Sequence, residues 1–178
     1  MLKSTDGMDL DTRTRIVTPD ISMNTYLGYA KGFCFPSDSS WSQTNIPMNA
    51  VMDWSGDNTG RGFESILIDI NKLKQQVPLI TNLVVDLRCG WWNTLGNNPV
   101  NVKAIFYKGG QMIKGAQPYQ YSNPTAESSL EVTSNSKQIS MMFEGNGALI
   151  GDRLGVFKYD THTHVGYFDM NDVITPTV

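Results

Sequence analysis

Oxygen-bearing side chains gather most densely between Asp53 and Glu64, where Asp53, Asp57, Asn58, Thr59 and Glu64 share a segment bent by Gly56, Gly60 and Gly62. Calcium takes roughly six to eight oxygen ligands from flexible loops of this kind, which makes Asp53, Asp57, Asn58 and Glu64 candidate ligands. The spacing is not that of an EF-hand. An Asx-type turn, with Asp57 and Asn58 bonding their own backbone, accounts for the same residues without a metal. A second candidate is Asp160-Thr161-His162-Thr163-His164, which holds both histidines of the chain. On a strand, His162 and His164 would face the same way and reach one metal. A tight site would then need Asp160, Asp169 or the same pair from a neighbouring subunit. In a hairpin the two imidazoles would simply face solvent.

Trp91-Trp92 lies beside the polar run Asn93-Thr94-Leu95-Gly96-Asn97-Asn98. Consecutive strand positions send one indole inward and the other outward, and an outward Trp suits an interface anchor. Both rings covering the end of a core, or a sugar platform with Trp41, Tyr119 and Tyr121, are the other readings. Catalytic patterns are missing. There is no Gly-x-Ser-x-Gly elbow, no His-Glu-x-x-His and no phosphate-binding loop ending in Lys-Ser or Lys-Thr. Carboxylate pairs such as Asp53 with Asp57, or Asp69 with Asp86, would need separations and pKa values that sequence does not show. The expectation is therefore no enzyme and no cofactor, calcium apart.

Whatever positions these residues must be built mostly from strands. The chain has 178 residues, near the size of one domain, with 40% hydrophobic residues and only 17% charged. Its 16 Gly, 8 Pro, 4 Trp, 7 Tyr and 7 Phe favour strands and turns over a charge-laced helical bundle. A net charge of −3 gives no reason to expect nucleic acid as a partner. No apolar run is long enough for membrane insertion, and residues 1–9 lack the apolar core of a signal peptide. Cys34 and Cys89 read as small buried hydrophobes in a reducing setting.

Residues 1–20 alternate charged and hydroxyl groups and close on Pro19-Asp20, which reads as an extended N-terminal arm that packs on a neighbour through Ile16 and Val17. Residues 21–178 read as one domain. Period-two segments recur at Ile66–Ile70, Ile80–Leu87, Val100–Tyr107, Ser129–Val132, Gln138–Phe143, Leu154–Tyr159 and Val165–Phe168. Gly109-Gly110 predicts a hairpin between Ile105–Lys108 and Gln111–Lys114. Only Asn71–Gln76 has helical character, and Pro78 stops it. About eight strands without βαβ alternation predict an all-β antiparallel sandwich or jelly-roll.

Two resemblances add to this reading. Gly56-Asp57-Asn58-Thr59-Gly60, followed by the strand Ile66–Ile70, resembles the signature segment of TerD-type tellurite-resistance and stress proteins, which are calcium-binding β-sandwiches. The acidic run of that family is replaced here by Arg61-Gly62-Phe63-Glu64. Leu83-Val84-Val85-Asp86-Leu87-Arg88-Cys89-Gly90-Trp91-Trp92, the closing stretch Gly151–Asp160 and the Asn-, Ser- and Thr-rich loops are similar to tail and baseplate proteins of tailed bacteriophages. That likeness implies a virion protein made in the host cytoplasm, a homo-oligomer or hetero-assembly with other virion subunits. Trp91, Trp92, Met141 and Met142 are its candidate interface residues. A calcium-binding stress protein and a carbohydrate- or receptor-binding tail module are the alternatives.

Overall fold

The computed structural model describes residues 9–18, 26–28, 33–35, 38–40, 51–54, 66–92, 95–96, 99–100, 103–108, 110, 113–114, 121–122, 124–133, 136–145 and 148–169. The fold is all-β, made of antiparallel sheets with one short helix. In chain order the elements are β1 (Leu10–Ile16), β2 (Phe33–Phe35), β3 (Asp38–Ser40), β4 (Met52–Trp54), β5 (Ile66–Ile68) and α1 (Ile70–Gln76). There follow β6 (Asn82–Trp91), β7 (Lys103–Lys108), β8 (Ile113–Lys114), β9 (Tyr121–Ser122) and β10 (Ser128–Thr133). The last four are β11 (Phe143–Gly145), β12 (Ala148–Ile150), β13 (Asp152–Asp160) and β14 (Val165–Asp169).

The largest strands form one sheet, β1-β6-β13-β14, in which β6 is bonded to β1 on one side and β13 on the other. Alternation along β6 gives its two faces different characters. Leu83, Val85, Leu87, Cys89 and Trp91 stand on one face, and Val84, Asp86 and Arg88 stand on the other. The apolar face meets a second sheet, β3-β2-β4-β5. Ile16, Leu27, Met52, Trp54, Leu73, Leu83 and Val85 share one buried cluster there, and Leu10, Cys89, Trp91, Ile139 and Leu154 share another. Burying each such side chain contributes about 1.5–3 kcal/mol. Helix α1 begins at Asp69, whose Oδ1 accepts from the Lys72 amide at 3.0 Å, and it inserts Leu73 into the first cluster.

The expected arm is the largest correction. Leu10–Ile16 is a strand along the whole upper half of β6, from Leu10 opposite Trp91 to Ile16 opposite Val85. Ile16 is 1% exposed in the core and Val17 is half-buried, with its amide donating to the Val84 carbonyl. The alternation of charge and hydroxyl at Asp11, Thr12, Arg13, Thr14 and Arg15 is a strand period whose polar side is also covered. Residues 1–8 and 19–20 lie outside the described residues.

Three smaller expectations also change. Among the described residues β7 pairs with β10 and β8 with β9, and β7 and β8 are not paired with each other as the expected hairpin requires; Gly110 has a positive φ of 75°, while Gly109, Gln111 and Met112 lie outside the described residues. Gln138–Phe143 is not one strand: Met141 makes a single parallel bridge to Trp91, and β11 starts only at Phe143. Instead of about eight strands, the described residues hold fourteen segments, eight of them two or three residues long. Such pieces are too short to show a period.

Candidate functional site

The second face of the large sheet concentrates the charge. Asp86 stands at the middle of β6 with its side chain fully buried. Arg88, two residues along the same face, donates Nε to Asp86 Oδ2 at 2.8 Å and Nη1 to the Gly151 carbonyl at 3.1 Å. Arg153 on β13 donates Nε to Oδ1 at 2.9 Å and Nη2 to Oδ2 at 3.4 Å. The Tyr26 hydroxyl donates to Oδ2 at 2.9 Å. Arg15 lies directly opposite Asp86 on β1, and its guanidinium carbon sits 4.6 Å from the centre of the Tyr26 ring, with that of Arg88 at 5.6 Å.

Two local features make this cluster possible. The register of β13 against β6 slips between Arg153 and Gly155, so Arg153 faces Arg88 while Val156 faces Asp86, and Leu154 enters the second core cluster. A bulge re-aims a side chain in this way without ending the strand. Tyr26 and Leu27 then cap β1, with Leu27 bridged to Thr14 and buried in the core and Tyr26 laid over the arginines. Gly28 follows at φ 152°, where a Cβ would collide with the Thr12 carbonyl and the Arg13 guanidinium. Beneath it Arg13 Nη2 lies 3.5 Å from Asp11 Oδ2, both side chains being 4% exposed.

The electrostatics follow from these contacts. Burial alone would raise the Asp86 carboxyl, but the hydrogen bonds from Arg88, Arg153 and Tyr26 more than reverse this and hold its pKa below the ordinary carboxylate value. The Tyr26 hydroxyl is pushed up by burial and by the Asp86 charge it bonds. Asp86 therefore contributes stability that is fully present above roughly pH 4, the unfolded value, and lost as the pH falls through its lower folded pKa. The melting-temperature gap between wild type and Asp86→Asn should be constant near neutrality and close below that value. A gap that stays unchanged down to the acid limit would contradict the assignment.

The residues that drew attention in the sequence are placed differently. Trp91 is 2% exposed within the core, so it is not the outward indole. Trp92 is half-buried, with its amide donating to the Asp9 carbonyl. Met141 is 44% exposed and Met142 half-buried, its sulfur lying where a Cβ on Gly90 would go. Asp53 lies on β4 between Phe33 and Leu67, while Asp57, Asn58 and Glu64 lie outside the described residues. His162 and His164 are exposed in the turn joining β13 to β14, not on a strand, and His164 has a φ of 58°. Its Nδ1 lies 2.9 Å from the Tyr159 hydroxyl. Asp160 Oδ1 accepts from the His162 and Thr163 amides at 2.7 and 2.9 Å, so this carboxylate shapes the turn. Among the described residues no group of three or more His, Cys, Asp or Glu is arranged to hold a metal. Asp69 is occupied as the cap of α1.

No family model, curated protein or solved structure matches this chain. The charged cluster thus rests on its own geometry. Sequence reasoning missed it because its members come from four separate stretches, yet two signals were present. Asp86 and Arg88 interrupt an apolar strand at a spacing of two, and Asp11, Arg13 and Arg15 repeat the same spacing.

Proposed function

We propose that the chain is a non-enzymatic structural subunit of a phage particle, in the tail, baseplate or decoration layer, made in the host cytoplasm and acting by packing against identical or different subunits. The observation that supports this reading is an apolar margin at the end of β6. Met141, bridged to Trp91, is 44% exposed, Phe143 is 45% exposed and Leu95 is 54% exposed, and half-buried Trp92 follows Trp91 directly in the chain. Apolar side chains left in water in this way gain free energy when a partner covers them. The reading agrees with the resemblance of the β6 segment to tail and baseplate proteins.

Native mass spectrometry of the intact chain, before and after a chelator, tests it together with Trp92→Ala and Met141→Lys. A closed oligomer that survives the chelator and dissociates in those variants, with the melting temperature of the isolated subunit little changed, is the expected outcome. Trp91→Ala serves as the contrast, because emptying its core position costs about 3–5 kcal/mol of stability instead. A monomer that holds calcium would replace assembly with the calcium-binding alternative. A metal-free monomer in every variant would remove self-assembly.

A further inference from the structure

We infer that the guanidinium cluster of Arg15, Arg88 and Arg153 is a binding site for a phosphate group, independent of whether the chain assembles. The first argument is charge. Arg88 and Arg153 share the one carboxylate of Asp86, and Arg15 stands opposite it on β1, which leaves two positive charges in excess among these four side chains. Arg88 and Arg153 are each drawn onto Asp86 at 2.8 and 2.9 Å, but Arg15 is not. Among the described residues no carboxylate pairs with Arg15, and its buried Nε has no hydrogen-bond partner. A desolvated donor left in that state costs about 1–3 kcal/mol, more when charged, and an anion at the outer edge of the guanidinium would offset part of that cost through its charge.

The second argument is geometry. Asp86 fixes the Arg88 and Arg153 forks from below, and the Arg15 and Arg88 guanidiniums both lie over the Tyr26 ring. These side chains are therefore ordered before a ligand arrives, which lowers the entropy lost on binding. The site is open at the top, since the Arg88 and Arg153 side chains are 19% and 30% exposed. Arg153 Nη1 has no partner among the described residues, because Nε and Nη2 are the atoms on Asp86. Arginines on the three adjacent strands β1, β6 and β13 suit a tetrahedral oxyanion with several acceptor oxygens, and an excess of two charges matches a phosphate dianion better than a carboxylate. The phosphate group belongs either to the free ion or to a phosphate monoester, and the test separates them.

Isothermal titration calorimetry of the full chain with inorganic phosphate, glycerol 2-phosphate and acetate, at constant ionic strength, reads this directly. Saturable binding of one phosphate or one monoester per chain, with acetate at least about 10-fold weaker, is expected. Arg15→Gln should weaken that binding about 10-fold or more while its melting temperature without phosphate stays near that of wild type, since no ion pair is broken. Binding of the free ion alone would assign the site to inorganic phosphate, and binding of the ester would assign it to a phosphorylated metabolite. Should Arg15→Gln fail to fold, Arg15→Lys keeps the charge but loses the fork and should still weaken binding. Absence of saturable binding in wild type, or binding that is equal in wild type and the Arg15 variants, overturns the inference.

Discussion

Deletion of residues 1–18 should abolish the cooperative unfolding transition, and deletion of residues 1–8, which leaves β1 intact, is the control. The first deletion removes β1, the strand that covers one side of β6 from Val85 to Trp91. Leu10 and Ile16 leave the core with it, at about 1.5–3 kcal/mol each. The loss of seven paired residues also strips the β6 backbone of partners on that side and exposes Asp86. Against a total stability of about 5–15 kcal/mol, losses on this scale leave little folded protein. Circular dichroism melting of both deletions is the check. A 1–18 deletion that melts as sharply as wild type would show that β1 is an accessory arm after all.

The second large effect is expected at Asp86. In Asp86→Ala the guanidiniums of Arg88 and Arg153 lose the carboxylate between them, and breaking a buried pair from one side costs about 3–5 kcal/mol. For a chain of this length the melting temperature then falls by roughly 6–20 °C. The triple replacement Asp86→Leu, Arg88→Met, Arg153→Met removes charge and counter-charge together, and should recover most of the loss. Denaturant titration of the single and triple variants separates the two situations. An Asp86→Ala loss below about 1 kcal/mol would mean that the cluster is solvated and carries little of the fold.

Sequence made the main strands legible where the period had room to repeat. β6, β7, β10, β13 and β14 all fall on expected segments, as does α1 between Asp69 and Pro78. β1 is legible as an alternation, but its repeating charged and hydroxyl-bearing groups read as an arm for a neighbouring subunit rather than as a strand of this chain's own sheet. Only the tertiary partners, Tyr26, Leu27 and Gly28 above and β6 beside it, make such a strand a buried one. The same holds for the cluster. Arg15, Tyr26, Asp86 and Arg153 meet only after strand pairing across long stretches of chain, and the β13 bulge that turns Arg153 toward Asp86 leaves no local mark. Trp91 shows the opposite failure. The polar run Asn93–Asn98 lies just beyond it in sequence, but its neighbours in space are Leu10, Cys89, Ile139 and Leu154.

The place of β6 between β1 and β13 also sets the order of events when the chain emerges from a ribosome. Arg15 must find Asp86, and Asp86 must face Val156, so each contact closes a loop of about 70 residues. Contacts that distant in sequence make folding slow. Until the residues of β13 have been synthesised, β6 has an unpaired edge on that side. A nascent chain halted between Trp91 and Asp152 is therefore the species most exposed to mispairing along that edge.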